Sequence, residues 1–289
     1  MNTPGTQLPY ISKFPENERE WFQALADLAL RHAVIHHPAH NLRHPQHRMS
    51  AARPVVPDGR GDAVVAVVRA NEMTEGCYIR PLVYLGYGEM GVNPLPAPVN
   101  VAIACWPWGA YLGDDGHANG VRMKISSWHR HSPNAMPTAA KGTGLYVNSG
   151  LAKVEAIKAG YDEAILLGPD GRISECSGEN LFIVRNGVIV TPPPSEAGAL
   201  AGITQDSIVT LARDLGYEVR FEAMVRTDLY LADEAFLTGT AAEVVPIASV
   251  DDRVVGSGKP GPVTSQLQTT YFKIVRGEVS QYSSWLTVC

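Results

Sequence analysis

Ser174-Glu175-Cys176-Ser177-Gly178-Glu179-Asn180-Leu181-Phe182-Ile183-Val184-Arg185-Asn186-Gly187-Val188-Ile189-Val190-Thr191 is the stretch of this chain that says most about its fold. Asn186-Gly187 separates two apolar runs, residues 181–185 and 188–191, and both turn residues tolerate the positive φ that a two-residue primed turn requires. An antiparallel hairpin follows, with Asp170-Gly171 marking a further turn ahead of it.

Working outward, residues 63–71 suit a short helix, and residues 77–86, 99–106, 121–127 and 161–167 read as strands. Residues 151–159 read as a helix closed by Gly160, and residues 203–215 as a helix closed by Gly216. Residues 217–221 and 234–237 are further strands. Strands and helices alternate without a strict βαβ repeat, which predicts an α+β fold with mixed sheets. Residues 109–118, with three glycines and two aspartates, are expected to link two domains. Near the start, residues 17–35 read as an amphipathic helix: Asn17 caps it, Glu20 stands three positions on, and Trp21, Leu25 and Leu28 recur at helical spacing. Pro38, Pro45, Pro54 and Pro57 then predict an irregular segment over residues 38–61.

A length of 289 residues allows one large domain or two ordinary ones. At 45% hydrophobic and 18% charged residues the composition is globular, and 24 basic against 29 acidic residues give a net charge of −5. No positive field draws nucleic acid. Cys77, Cys105, Cys176 and Cys289 show no pairing pattern, which suits a reducing compartment. Neither a secretory leader nor a membrane span is read, so the expected location is the cytoplasm. Six of the nine histidines fall between His32 and His47. Their spacing resembles one helical face, but Pro38 and Pro45 break that helix and no cysteine accompanies them, so no metal site is expected.

Four constellations carry chemistry. Lys141 lies between Pro137-Thr138-Ala139-Ala140 and Gly142-Thr143-Gly144, small residues that let a flat ring approach an amine able to condense with an aldehyde. Glu175 and Glu179 are either edge-strand polar groups or carboxylates placed to pair with a cationic ring nitrogen. Gly202-Ile203-Thr204 is either an ordinary helix start or an anion site made of free N–H groups and a hydroxyl. Thr238-Gly239-Thr240-Ala241-Ala242 is a plain turn or a second set of anion donors. One ligand, pyridoxal 5'-phosphate, satisfies all four.

From about Val68 onward the chain resembles the class IV aminotransferases, which have the two-domain fold-type IV architecture shared with D-amino acid aminotransferases. Within them it is most similar to bacterial branched-chain amino acid aminotransferases. The resemblance rests on Cys77-Tyr78-Ile79-Arg80-Pro81, Gly88-Glu89-Met90-Gly91-Val92-Asn93-Pro94, Trp106-Pro107-Trp108-Gly109-Ala110-Tyr111-Leu112-Gly113, Pro137 to Lys141, Ser174 to Phe182, Leu229-Tyr230-Leu231-Ala232-Asp233-Glu234 and Gly239-Thr240-Ala241-Ala242-Glu243. It implies that Lys141 holds the cofactor and moves the substrate proton, and that Glu175 pairs with the ring nitrogen. Tyr146 would meet the phenolic oxygen, and Ile203, Thr204 and Thr240 the phosphate. Tyr78, Thr240 and Ala241 would hold the α-carboxylate, with Arg80 on the same strand face taking the distal carboxylate of glutamate. Met90, Val92, Trp108 and Tyr111 would wall a pocket for leucine, isoleucine and valine side chains. The implied partners are amino acids and 2-oxo acids, the assembly a homodimer or higher oligomer, and the role branched-chain amino acid biosynthesis.

Two departures stand out. Ala201-Gly202-Ile203-Thr204-Gln205 replaces the family's Pro-Gly-Ile-Thr followed by a basic residue. The family's His-Tyr-Gly strand, its Phe-Glu-Gly-Ile-Arg strand and a helix bearing a phosphate-binding arginine have no counterpart over residues 1–61, where the histidine-rich tract stands. The domain reading is thus an atypical segment 1–61, the rest of a small domain over 62–112, a linker 113–120 and a large cofactor-binding domain 121–289. D-amino acid aminotransferase, aminodeoxychorismate lyase and a catalytically impaired homologue remain as alternatives.

Overall fold

Asn186 and Gly187 take φ values of 51° and 77°, as the predicted turn demands, and join strand β7 (Asn180–Arg185) to β8 (Val188–Thr191) in antiparallel register. This computed structural model describes residues 48–50, 60–109 and 111–288, and of residues 48–50 and 60–62 the backbone alone. The helix expected over residues 17–35 and the histidine-rich tract up to His47 lie outside the described residues.

The hairpin is one part of a mixed nine-stranded sheet. Its other strands are β4 (Val121–His129), β5 (Glu163–Leu167), β6 (Ile173–Cys176), β9 (Val219–Phe221), β10 (Glu234–Gly239), β11 (Glu243–Val250) and β12 (Arg253–Val254). The order is β6-β5-β4-β11-β10-β7-β8-β9, with β12 paired to β11. The β4–β5, β4–β11 and β8–β9 pairs are parallel and the rest antiparallel. Alternation along β7 sorts the core: Leu181 and Ile183 enter one apolar cluster with Met123, Ile165 and Val245. Phe182 and Val184 enter the other, against helices α4 (Ile203–Asp214) and α5 (Pro262–Val275) through Ile208, Leu211, Leu267 and Ile274. Phe182 and Phe236 stack across neighbouring strands with centroids 4.8 Å apart. On the far side of β5, helix α3 (Tyr146–Lys158) buries Ala152 and Ala156 against Ala164 and Leu166.

Ahead of this sheet in the chain come α1 (Arg60–Ala70) and the ladder β2 (Cys77–Leu85) with β3 (Val99–Pro107). Residues 48–50, expected to be irregular, form strand β1 (Arg48–Ser50), paired with β13 (Leu286–Val288). Its partner lies at the other end of the chain, so no local pattern marks it. The expected linker is also more ordered than its composition suggests. Residues Gly113–Asn119 make helix α2, with Gly113 and Gly120 at positive φ on either side of it and Gly116 buried against Val121. The glycines here end and pack a helix.

Candidate active site

Lys141 follows buried Ala140, whose N–H donates to Pro137 O at 2.9 Å, and precedes a single 3₁₀ turn, Thr143–Leu145, that runs into α3. A Cβ on Gly142 or Gly144 would meet nothing nearer than 3.7 Å, so the space beside the lysine is open. Nζ stands 5.4 Å from the ring centroid of Tyr146, the first residue of α3. These two predicted residues therefore share one corner.

That corner opens into a cavity, partly open to solvent, whose walls include Lys141, Tyr146, Arg130, Glu175, Glu179, Asn180 and Leu200. Glu175 comes from β6 and is buried. Its Oε1 lies 2.7 Å from Nη2 of Arg130, and its Oε2 accepts the Leu200 N–H at 2.9 Å. Burial pushes the Glu175 carboxyl up, opposed by Arg130, the Leu200 amide and Lys141. Glu179 is equally buried, accepts from its neighbouring Gly178 N–H at 3.1 Å, and makes no ion pair among the described residues. Burial first and then the charge of Glu163 raise it to about 8. The two glutamates of the motif are thus physically distinct: one is held against a guanidinium, the other is a neutral acid near pH 7.

The anion corner is built around Gly202. No side chain caps α4, and a Cβ at Gly202 would collide with the Asn180 amide, which donates to Leu200 O at 2.9 Å. Asn180, Leu200 and Glu175 thereby tie the start of α4 to strands β6 and β7. Thr204 is buried and its hydroxyl is engaged with Tyr271 of α5. The backbone N–H groups at this uncapped helix start are free of any side-chain cap and can receive an anion. Gly239, just before Thr240, packs on the Gly178-Glu179 turn, with a would-be Cβ 3.2 Å from Glu179 Cγ. Thr240 and Ala241 therefore leave β10 beside the cavity wall.

Tyr78, Trp106 and Trp108 form an aromatic cluster with centroid separations of 5.1, 4.8 and 5.6 Å, and Ala241 packs against it. Arg80 shares the face of Tyr78 as β-strand spacing requires, and its Nη2 donates to the Tyr78 hydroxyl at 2.7 Å. Tyr111 bonds Ser177 on the cavity wall, and burial and Glu179 raise its phenol. Met90 and Val92 stand apart from this corner, at 104% and 101% exposure in the single chain. The β2–β3 ladder runs unbroken from Cys77↔Pro107 to Leu85↔Val99, so their loop leaves the end opposite Tyr78. At about 3.3 Å per residue that is roughly 20 Å away.

Trp106 and Arg130 were not singled out as site residues from the sequence. Arg130 directly follows an apolar strand, which is the only local signal it offers.

The donor set fits pyridoxal 5'-phosphate: an amine for the aldehyde, a buried carboxylate for the ring nitrogen and an uncapped helix start for the phosphate. The family of class IV amino-transferases matches residues 40–250, a span that begins inside the histidine-rich tract and earlier than the resemblance from Val68. A branched-chain-amino-acid aminotransferase of Pseudomonas aeruginosa is 44% identical over 242 residues, 84% of this chain and 78% of that protein. The protein of that name from Escherichia coli K12 is 49% identical over 222 residues, 76% and 71% of the two chains. Among solved structures, the Escherichia coli branched-chain amino acid aminotransferase superposes with a TM-score of 0.81 at 42% identity, covering 88% of each chain. The T.th. branched-chain amino acid aminotransferase with pyridoxamine 5'-phosphate gives 0.80 at 41% identity, covering 91% of this chain and 92% of that one.

Proposed function

The chain belongs to the class IV aminotransferases, and on that premise we propose that it exchanges the amino group of L-leucine, L-isoleucine or L-valine with 2-oxoglutarate in two half-reactions at one site. It is a pyridoxal-phosphate-dependent branched-chain amino acid aminotransferase of fold type IV. The observation that carries the substrate-level reading is the shared cavity of Lys141 and the Arg130-paired Glu175, with the Tyr78, Arg80 and Trp108 cluster packed on Ala241 beside it.

When bound, the cofactor supplies an aldehyde that takes up the amino group and a ring that withdraws charge from Cα. Lys141 would hold the aldehyde through Nζ, and its free amine would carry the Cα proton. Glu175 holds the ring nitrogen in its protonated form, and Tyr146 orients the phenolic oxygen. The N–H groups of Ile203 and Thr204, with Thr240, receive the phosphate. Tyr78, Thr240 and Ala241 take the α-carboxylate, and Trp108 and Tyr111 exclude water from an apolar side chain. Arg80 takes the distal carboxylate of glutamate, so one pocket serves both half-reactions.

The assembly is a homo-oligomer, at least a dimer. Val147, Leu151, Val154 and Ile157 form an exposed apolar stripe on α3, next to exposed Trp128. In such an assembly Met90 and Val92 wall the site of the neighbouring copy. The expected compartment is the cytoplasm; among the described residues no helix is long and apolar enough to cross a membrane. The purified protein is tested with L-leucine, D-alanine and 4-amino-4-deoxychorismate. Turnover of L-leucine with 2-oxoglutarate is expected, and turnover of D-alanine alone overturns the assignment.

A further inference from the structure

We propose that Arg130 is a positioning residue for transamination, fixing the orientation of Glu175 and keeping its carboxylate ionised so that it can hold the cofactor's ring nitrogen protonated. The inference rests on the pyridoxal-phosphate reading of the cavity. Arg130 sits just beyond β4, where its N–H donates to Leu167 O at 2.8 Å. Its side chain is 7% exposed, with Nη2 on Glu175 Oε1 at 2.7 Å and Nη1 3.4 Å from Ser149 Oγ. Nε is buried without a partner, so Glu175 is the guanidinium's one anionic contact among the described residues. A guanidinium does not titrate in proteins, so this support is independent of pH.

The neighbouring carboxyl serves as an internal comparison. Glu179 lines the same cavity at the same depth but has only an adjacent backbone N–H for a partner, and it is held protonated near neutrality. Burial pushes Glu175 the same way, and Arg130 is the strongest opposing influence. Deprived of the guanidinium, Glu175 follows Glu179: it keeps its own proton and would hydrogen-bond through it to a ring nitrogen left unprotonated. The ring then withdraws charge from Cα less strongly and Lys141 takes the Cα proton more slowly. The Leu200 amide still holds Oε2, so Arg130 acts on charge and orientation while Glu175 keeps its place.

The test uses full-length protein loaded with ring-¹⁵N pyridoxal phosphate in four forms: wild type, Arg130→Met, Glu175→Gln and the double variant, with Arg130→Lys as a fifth. The ring ¹⁵N shift reports protonation directly, and melting of the cofactor-free protein reports folding. Expected are a protonated ring in wild type and an unprotonated ring in Arg130→Met. The L-leucine half-reaction of Arg130→Met slows on the order of 10²-fold, and the double variant is no slower than Glu175→Gln. Arg130→Lys keeps the ring protonated and loses roughly tenfold or less. A protonated ring in Arg130→Met, or losses that multiply in the double variant, overturns the proposal. Where Arg130→Met fails to fold, an Arg130→Lys protein with an unprotonated ring does the same. A wild type that ignores L-leucine refutes the substrate assignment and leaves the ring-nitrogen result to stand on its own.

Discussion

The ammonium of Lys153 stands 2.6 Å from Oε2 of Glu163, a carboxylate with no exposed surface at the base of β5, and also donates to Asp162 O at 2.7 Å. Lys153 belongs to α3. In the fold it compensates a buried charge behind the active-site cavity. Removing it by Lys153→Met leaves Glu163 unpaired, and a loss of about 3–5 kcal/mol in unfolding free energy is expected. Urea titration checks this, and Lys153→Met/Glu163→Leu recovers a large part of the loss.

Gly202→Ala places a methyl group against the Asn180 amide, which cannot swing away without giving up Leu200 O. The start of α4 must shift instead. The expected result is a folded protein, destabilised by about 1–3 kcal/mol, that binds pyridoxal phosphate at least tenfold more weakly by fluorescence titration. Gly202→Ala/Asn180→Ala relieves the collision and restores part of the affinity.

Glu179 makes stability fall with rising pH. Its carboxyl is lifted from an ordinary value of 4.5 to about 8, by burial first and by Glu163 second. Below pH 4.5 folded and unfolded states both bind the proton and Glu179 has no effect. Between 4.5 and 8 the unfolded chain releases the proton while the folded one retains it, so the folded state loses ground, and above 8 the loss is complete. Glu179→Gln is therefore expected to raise Tm at pH 8 and to leave it nearly unchanged at pH 4, as melting curves at the two pH values will show.

Arg80→Met separates the half-reactions. Arg80 is bonded to the Tyr78 hydroxyl, and its guanidinium lies 5.0 Å from that ring. Removing it is expected to raise KM for 2-oxoglutarate at least tenfold, with KM for L-leucine changed less than threefold, in steady-state assays.

What the sequence made legible follows from the range of the forces involved. The hairpin at Asn186-Gly187 and the end of α4 before Gly216 are fixed by local turn chemistry. Alternation along β7 is fixed by which face meets which core. Lys141 and Glu175 were singled out by the residue types around them and Tyr146, Tyr78 and Arg80 through the family resemblance; the fold sets Lys141, Tyr146 and Glu175 around one cavity and bonds Arg80 to Tyr78. The Arg130–Glu175 and Lys153–Glu163 pairs join residues from different elements, and nothing in the spacing announces them. The pairing of β1 with β13 is hidden for the same reason. The loop of Met90 and Val92 stands away from Tyr78 because the unbroken β2–β3 register carries it to the other end of the ladder, which a motif of residue types does not specify.

Borohydride reduction of the cofactor-loaded protein, followed by peptide mass spectrometry, tests most directly the claim that Lys141 anchors pyridoxal phosphate in a working aminotransferase. A single pyridoxyl-phosphate adduct on the Lys141 peptide is expected, absent when L-leucine is added before the reductant because the substrate amine has displaced the lysine. An adduct on another lysine, or none in a protein that binds the cofactor, contradicts it.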